Sequence, residues 1–110
     1  MPDYSTSNQP PWWNDNDEIT KVIIGNGVWA IGAYSFYWNE NIQEIQIGQR
    51  VNSIGTYAFA DIGTRNGSTI KLIDIPRSCS YIGPYTFNNV KVDKLTISSA
   101  SWSDFSSASF

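Results

Sequence analysis

The 110 residues are enough for one domain, and 41% apolar with 15% aromatic content belongs to a chain that packs a core. Seven basic residues against ten acidic ones leave a net charge of -3, with Lys and Arg scattered, which argues against nucleic acid and anionic membrane as partners. Histidine is absent and cysteine occurs once, so imidazole metal sites, His-based triads and an internal disulfide are excluded.

Residues 1–18 carry three prolines and two adjacent tryptophans with almost no periodicity. They lack the basic and apolar regions of a signal peptide, and no apolar run in the chain reaches the length of a membrane span. The segment is expected to cap the first structural unit, with at least one of Trp12 and Trp13 packed on it as the plug; the alternative is that the pair forms a binding platform. Asn14 to Glu18 is oxygen-rich, but the Gly and Glu that a calcium-binding EF-hand loop needs are missing, so it reads as a solvated turn.

From Ile19 the chain repeats. Ile19, Val22, Ile24, Gly25, Val28, Ile31, Gly32, Tyr34 and Phe36 recur at identical spacing as Ile42, Ile45, Ile47, Gly48, Val51, Ile54, Gly55, Tyr57 and Phe59. A third unit runs through Ile70, Ile73, Ile75, Pro76, Cys79, Ile82, Gly83, Tyr85 and Phe87, so Cys79 occupies a valine slot and is a core residue. The fourth is degenerate: Val92, Leu95 and Ile97, then Trp102, Phe105 and Phe110. Repeats of 19–41, 42–69, 70–91 and 92–110 follow, with starts 23, 28 and 22 residues apart.

Each unit opens on an alternating apolar triplet, which sends two aliphatics to one side of a strand, and stacking the units makes a parallel sheet. The return path is a second short extended piece ending at Ile-Gly, where Gly can take positive φ, followed by Tyr-x-Phe on a short helical or 3₁₀ turn. A single unit cannot offset the entropy of ordering its own backbone, so only stacked neighbours are stable. Phe110 falls where a further repeat would begin and no polar cap follows it. The chain therefore reads as a fragment of a longer protein, or as a short form whose open end another copy could cover.

These units resemble the repeats of BspA-like bacterial cell-surface leucine-rich-repeat proteins, in which an I-x-x-V-x-I opening leads to I-G and a closing A-F; residues 19–87 match closely and 92–110 loosely. The Pro-Trp and polar stretch at 10–18 is similar to what precedes the first repeat in that family. The resemblance implies a right-handed, mostly β solenoid of the leucine-rich-repeat type. It also implies a non-catalytic interaction or adhesion module, cell-surface or secreted, that binds host or neighbouring-cell proteins without a cofactor. A carbohydrate-binding module and a spacer between other domains are the alternatives.

Trp29, Tyr37, Trp38 and Tyr81 fall outside the core slots and are candidate contact residues, because aromatic side chains give large contact area at low entropic cost. The extra residues of the second unit lie after Phe59, and Arg65 and Asn66 in that insertion are candidates because insertions in solenoids project as loops. Lys21 and Glu44 should face each other across neighbouring strands.

Overall fold

The computed structural model describes residues 3–13, 18–64 and 69–98. The triplets form β1 (Lys21–Ile23), β3 (Glu44–Gln46), β5 (Ile70–Ile75) and β7 (Val92–Ile97); the Ile-Gly pieces form β2 (Ala30–Ile31), β4 (Ser53–Ile54) and β6 (Tyr81–Ile82). All pairing is parallel, and the partners are those that the repeat spacing dictates: Val22 with Ile45, Ile31 with Ile54, Ile54 with Ile82, and Ile73 with Leu95. Three coils are thus stacked and β7 enters a fourth; residues 99–110, with Trp102, Phe105 and Phe110, lie outside the described residues.

The core is a column of equivalent side chains. Val22, Ile45 and Ile73 are buried on the inner face of the triplets, with Ile31, Ile54 and Ile82 opposite. Phe36, Phe59 and Phe87 fill the third side as a stack with ring centroids 5.4 and 5.6 Å apart. Trp12 continues that stack, 5.4 Å from Phe36, and its indole N–H donates to the Ser35 carbonyl at 2.8 Å. Asp3 and Tyr4 tie the same segment to the first coil through Ala33, whose N–H donates to the Asp3 carboxylate at 2.7 Å and whose carbonyl accepts from the Tyr4 N–H. Cys79 is buried in its valine slot, and burial pushes its thiol pKa up against a smaller lowering by a backbone hydrogen bond with Tyr81.

Two local expectations change. Pairing is not one continuous sheet: β1 pairs β3 and β5 pairs β7, but no ladder joins β3 to β5, while β2, β4 and β6 form a second sheet of their own. Pro76 gives a reason for the break, because the equivalent Ser98 N–H donates to Ile75 across β5 and β7 and proline has no N–H to do so. The five-residue expansion of the second unit just before β5 adds to it.

The Tyr-x-Phe segment is not a helical turn either. The N–H groups of Tyr34, Phe36 and Trp38 donate to Thr56, Ala58 and Ala60 of the next coil, and those of Ser35, Tyr37 and Asn39 donate three residues back within their own coil. Tyr34, Tyr57 and Tyr85 sit at φ 59°, 55° and 59°, the left-handed position of a type II turn. Positive φ therefore falls on the tyrosines, two residues after the glycines expected to adopt it. The glycines serve close approach: a Cβ on Gly55 would lie 2.5 Å from the Ala33 nitrogen, and one on Gly83 would lie 2.6 Å from the Thr56 nitrogen.

The expansion lies after Phe59, within the stretch that the spacing marks. Ala60 and Ile62 are buried in register with Tyr37 and Asn39, and the detour starts at Gly63, at φ 62°, whose N–H donates to the Asn39 carbonyl at 3.1 Å.

Asn39 is the one polar residue in a column otherwise filled by Ile62 and Val90. It is 1% exposed, and neither atom of its side-chain amide has a hydrogen-bond partner among the described residues. Burying an unsatisfied amide is unfavourable, so Asn39→Val is expected to raise stability by about 1–3 kcal/mol. Urea denaturation followed by tryptophan fluorescence measures this, and a destabilised variant would mean that the amide is satisfied.

Candidate functional site

Side chains that leave the coil between Gly32 and Asn39 build the most structured part of the surface. Tyr34, Tyr57 and Tyr85 stack on one another with centroids 5.0 and 5.3 Å apart, a second aromatic ladder outside the phenylalanine one. Tyr37 packs edge-on against Tyr34 at 5.2 Å and Tyr57 at 6.0 Å. Burial first, and then the negative charge of Asp61 and the phenols of Tyr34 and Tyr57, raise the Tyr37 pKa and keep its hydroxyl protonated.

Trp38 follows, half exposed and at φ 63°. The same slot holds Asp61 at φ 58° and Asn89 at φ 59°, residues that tolerate the left-handed region and that bond to each other, Asn89 Nδ2 donating to Asp61 Oδ1 at 2.9 Å. Trp38 takes no part in that ladder. With Tyr37 it faces the capping segment, and together with Thr6, Gln9 and Trp13 the pair lines an open hollow of about 200 Å3.

Of the residues singled out from the sequence, Tyr37 and Trp38 are brought together. Tyr81 lies elsewhere, on the rim of a shallow trough of about 590 Å3 that crosses β2, β4 and β6, floored by Ala30 and Ser53 and bounded by Asp3 and Pro84. Trp29 is 64% exposed, occupies the slot of Asn52 and Ser80, and lines neither hollow. Arg65 and Asn66 lie outside the described residues. Of the two tryptophans expected to plug the first coil, Trp12 joins the phenylalanine stack, while Trp13 lines the hollow with Tyr37 and Trp38; Thr6 and Gln9 were missed, and no signal for them existed.

The outer face of the triplets is mixed. Lys21 and Glu44 form the expected ion pair at 3.6 Å, both about half exposed, a contact worth at most about 1 kcal/mol. Ile23 and Leu72 are exposed beside Gln46 and Asp74. Among the described residues no group of three or more Cys, Asp or Glu could hold a metal ion, and no helix is long and apolar enough to cross a membrane.

Stacked coils of 22–28 residues, each with a short parallel strand, an Ile-Gly turn and a core-closing phenylalanine, define a leucine-rich-repeat solenoid. The chain belongs to the family described as BspA type leucine rich repeat region (6 copies), whose model matches residues 12–110. It is similar to a leucine-rich repeat protein from Eubacterium ventriosum ATCC 27560, with 28% identity, a TM-score of 0.66 and 88% of the present chain covered. The match spans 32% of that protein's length. No functionally curated protein matches the chain. Leucine-rich repeats are protein-interaction folds and are generally non-catalytic.

Proposed function

We propose that this chain is a non-catalytic, protein-binding module of a bacterial surface or secreted protein, acting in adhesion to proteins of a host or neighbouring cell. The observation that carries this reading is the aromatic surface from Tyr85 through Tyr57 and Tyr34 to Tyr37 and Trp38. Tyrosine and tryptophan are enriched where proteins recognise proteins, since each buries a large area with few rotatable bonds. The family supports a binding role, and the surface or secreted location is what the family type suggests.

Immobilised chain should retain proteins from a host cell-surface extract, and retention should disappear when the extract is pretreated with protease and survive pretreatment with glycosidases. The opposite sensitivity would replace this reading with a carbohydrate-binding module. No retention under any treatment would favour a spacer.

A further inference from the structure

We propose that Asn26 is a self-modifying site, at which the Gly27 backbone nitrogen displaces the side-chain amide as ammonia and leaves a mixture of aspartate and isoaspartate in the turn between β1 and β2. The inference goes beyond the protein-binding reading and does not depend on it.

Residues 25–28 form a tight turn closed by the Val28 N–H, which donates to the Gly25 carbonyl at 3.1 Å. Asn26 and Gly27 are its two central residues, and both are exposed. The later coils carry Gln49 and Arg50, then Arg77 and Ser78, at those two places, so the pair is peculiar to the first coil. Asn26 is also the one asparagine followed by glycine among the described residues.

Three features of the turn favour attack of one residue on the other. The Gly27 N–H has no hydrogen-bond partner among the described residues, so the attacking nitrogen is not engaged elsewhere. Gly27 has no side chain, and a Cβ built on it would meet no atom within 4 Å, so neither its own substituent nor a neighbouring coil hinders ring closure. The Asn26 Oδ1 already accepts the Gln49 N–H of the next coil at 3.1 Å. That donor polarises the carbon under attack and lies where negative charge develops, as in an oxyanion hole.

Hydroxide takes the Gly27 amide proton, and the nitrogen forms a bond to Asn26 Cγ. The electron pair displaced onto Oδ1 is held by the Gln49 N–H. When it returns, the Cγ–Nδ2 bond breaks and Nδ2 leaves as ammonia with a proton from water. Water then opens the resulting five-membered succinimide ring. Attack at Cγ restores the original main chain with aspartate, and attack at the main-chain carbonyl carbon leaves Gly27 bonded to Cγ as isoaspartate. One water is consumed and one ammonia released, with no oxidant, reductant or cofactor. Aspartate adds a negative charge and keeps an acceptor for the Gln49 N–H. Isoaspartate lengthens the main chain by one methylene within the turn that Gly25 and Val28 close.

The test is incubation of the folded chain at mildly alkaline pH, with tandem mass spectrometry of tryptic peptides at successive times. Cleavage after Lys21, Arg50, Arg65 and Lys71 places Asn26 in peptide 22–50 and the second Asn-Gly pair, Asn66 and Gly67, in peptide 66–71, which serves as a rate standard. The expected result is a gain of about 1 Da at Asn26 as amide is exchanged for carboxylate, with ammonia released in step and a rate that rises with hydroxide. Gln49→Pro removes the oxyanion donor, and proline suits the first central place of the turn that the Val51 N–H closes on the Gly48 carbonyl. It should slow conversion of Asn26 about threefold to tenfold, the rate equivalent of one exposed hydrogen bond, and leave that of Asn66 unchanged. Gly27→Ala leaves the Gln49 donor in place and should also slow Asn26, because the new methyl group crowds the attacking nitrogen.

The proposal is overturned if Asn26 keeps its mass, if the gain in peptide 22–50 falls on Asn39 or Asn41 instead, or if a folded Gln49→Pro chain converts as fast as the parent. Should Gln49→Pro fail to fold, the mass gain at Asn26 in the parent and its slowing by Gly27→Ala decide the matter, and absence of either overturns the proposal.

Discussion

Phe59→Ala is expected to lower the stability of the fold by about 3–5 kcal/mol, a loss large enough to leave much of the chain unfolded. Phe59 is fully buried and lies between Phe36 at 5.4 Å and Phe87 at 5.6 Å, so truncation removes a central ring and opens a cavity with coils on both sides. Backbone bonds fix those neighbours: the Phe36 N–H donates to Ala58 and the Phe59 N–H to Thr86, which limits collapse into the space. Tyr57→Ala is the internal comparison. Tyr57 has stacking neighbours at similar distances, 5.0 and 5.3 Å, but only partial burial, so its loss should be clearly smaller. Reversible urea denaturation of both variants decides the matter; a loss below about 1 kcal/mol for Phe59→Ala would contradict the stacking register.

The period of the apolar residues carried the register. Because Ile45 follows Val22, and Ile54 follows Ile31, at one fixed spacing, the register of the ladders that form could be assigned from the sequence, and the Lys21–Glu44 pair and the burial of Cys79 followed from that assignment. What hydrophobic pattern does not encode is backbone conformation. Tyr34, Tyr57 and Tyr85 are left-handed although tyrosine has no strong turn preference, in a segment held by inter-coil hydrogen bonds that exist only once the coils are stacked. Ser35, Ala58 and Thr86 escaped notice for a related reason. All three are fully buried in one slot, but they share smallness rather than hydrophobicity, and the Ser35 and Thr86 hydroxyls are satisfied by the Gly32 and Gly83 carbonyls at 2.7 Å.

The aromatic hollow was half legible. Tyr37 and Trp38 stood out as aromatics in non-core slots, but their pairing with Trp13 depends on how the capping segment lies across the first coil. Trp12 anchors that segment, and the periodicity of the repeat says nothing about residues outside it. The break between β3 and β5 was similarly hidden, although Pro76 in a glycine slot was its one visible trace.

Gly55→Ala is expected to destabilise the protein by about 3 kcal/mol or more, while Gly25→Ala changes stability by no more than about 0.5–1 kcal/mol in either direction. Neither glycine has positive φ, so the intrinsic backbone preference of alanine is acceptable at both positions. The difference is what a methyl group meets. At Gly55 the added Cβ would fall 2.5 Å from the nitrogen and 2.9 Å from the Cα of Ala33, backbone atoms of the preceding coil that cannot rotate away. The coils are held at that spacing by the Gly55 N–H donating to the Ile31 carbonyl at 2.8 Å and by β2, β4 and β6 on one side, so relief requires separating them. At Gly25, in the first coil with no repeat before it, nothing lies within 4 Å of the new methyl. Thermal and urea denaturation of the two variants therefore test whether close coil approach, rather than turn conformation, explains why the repeat keeps glycine after isoleucine; equal losses at the two sites would restore the conformational explanation.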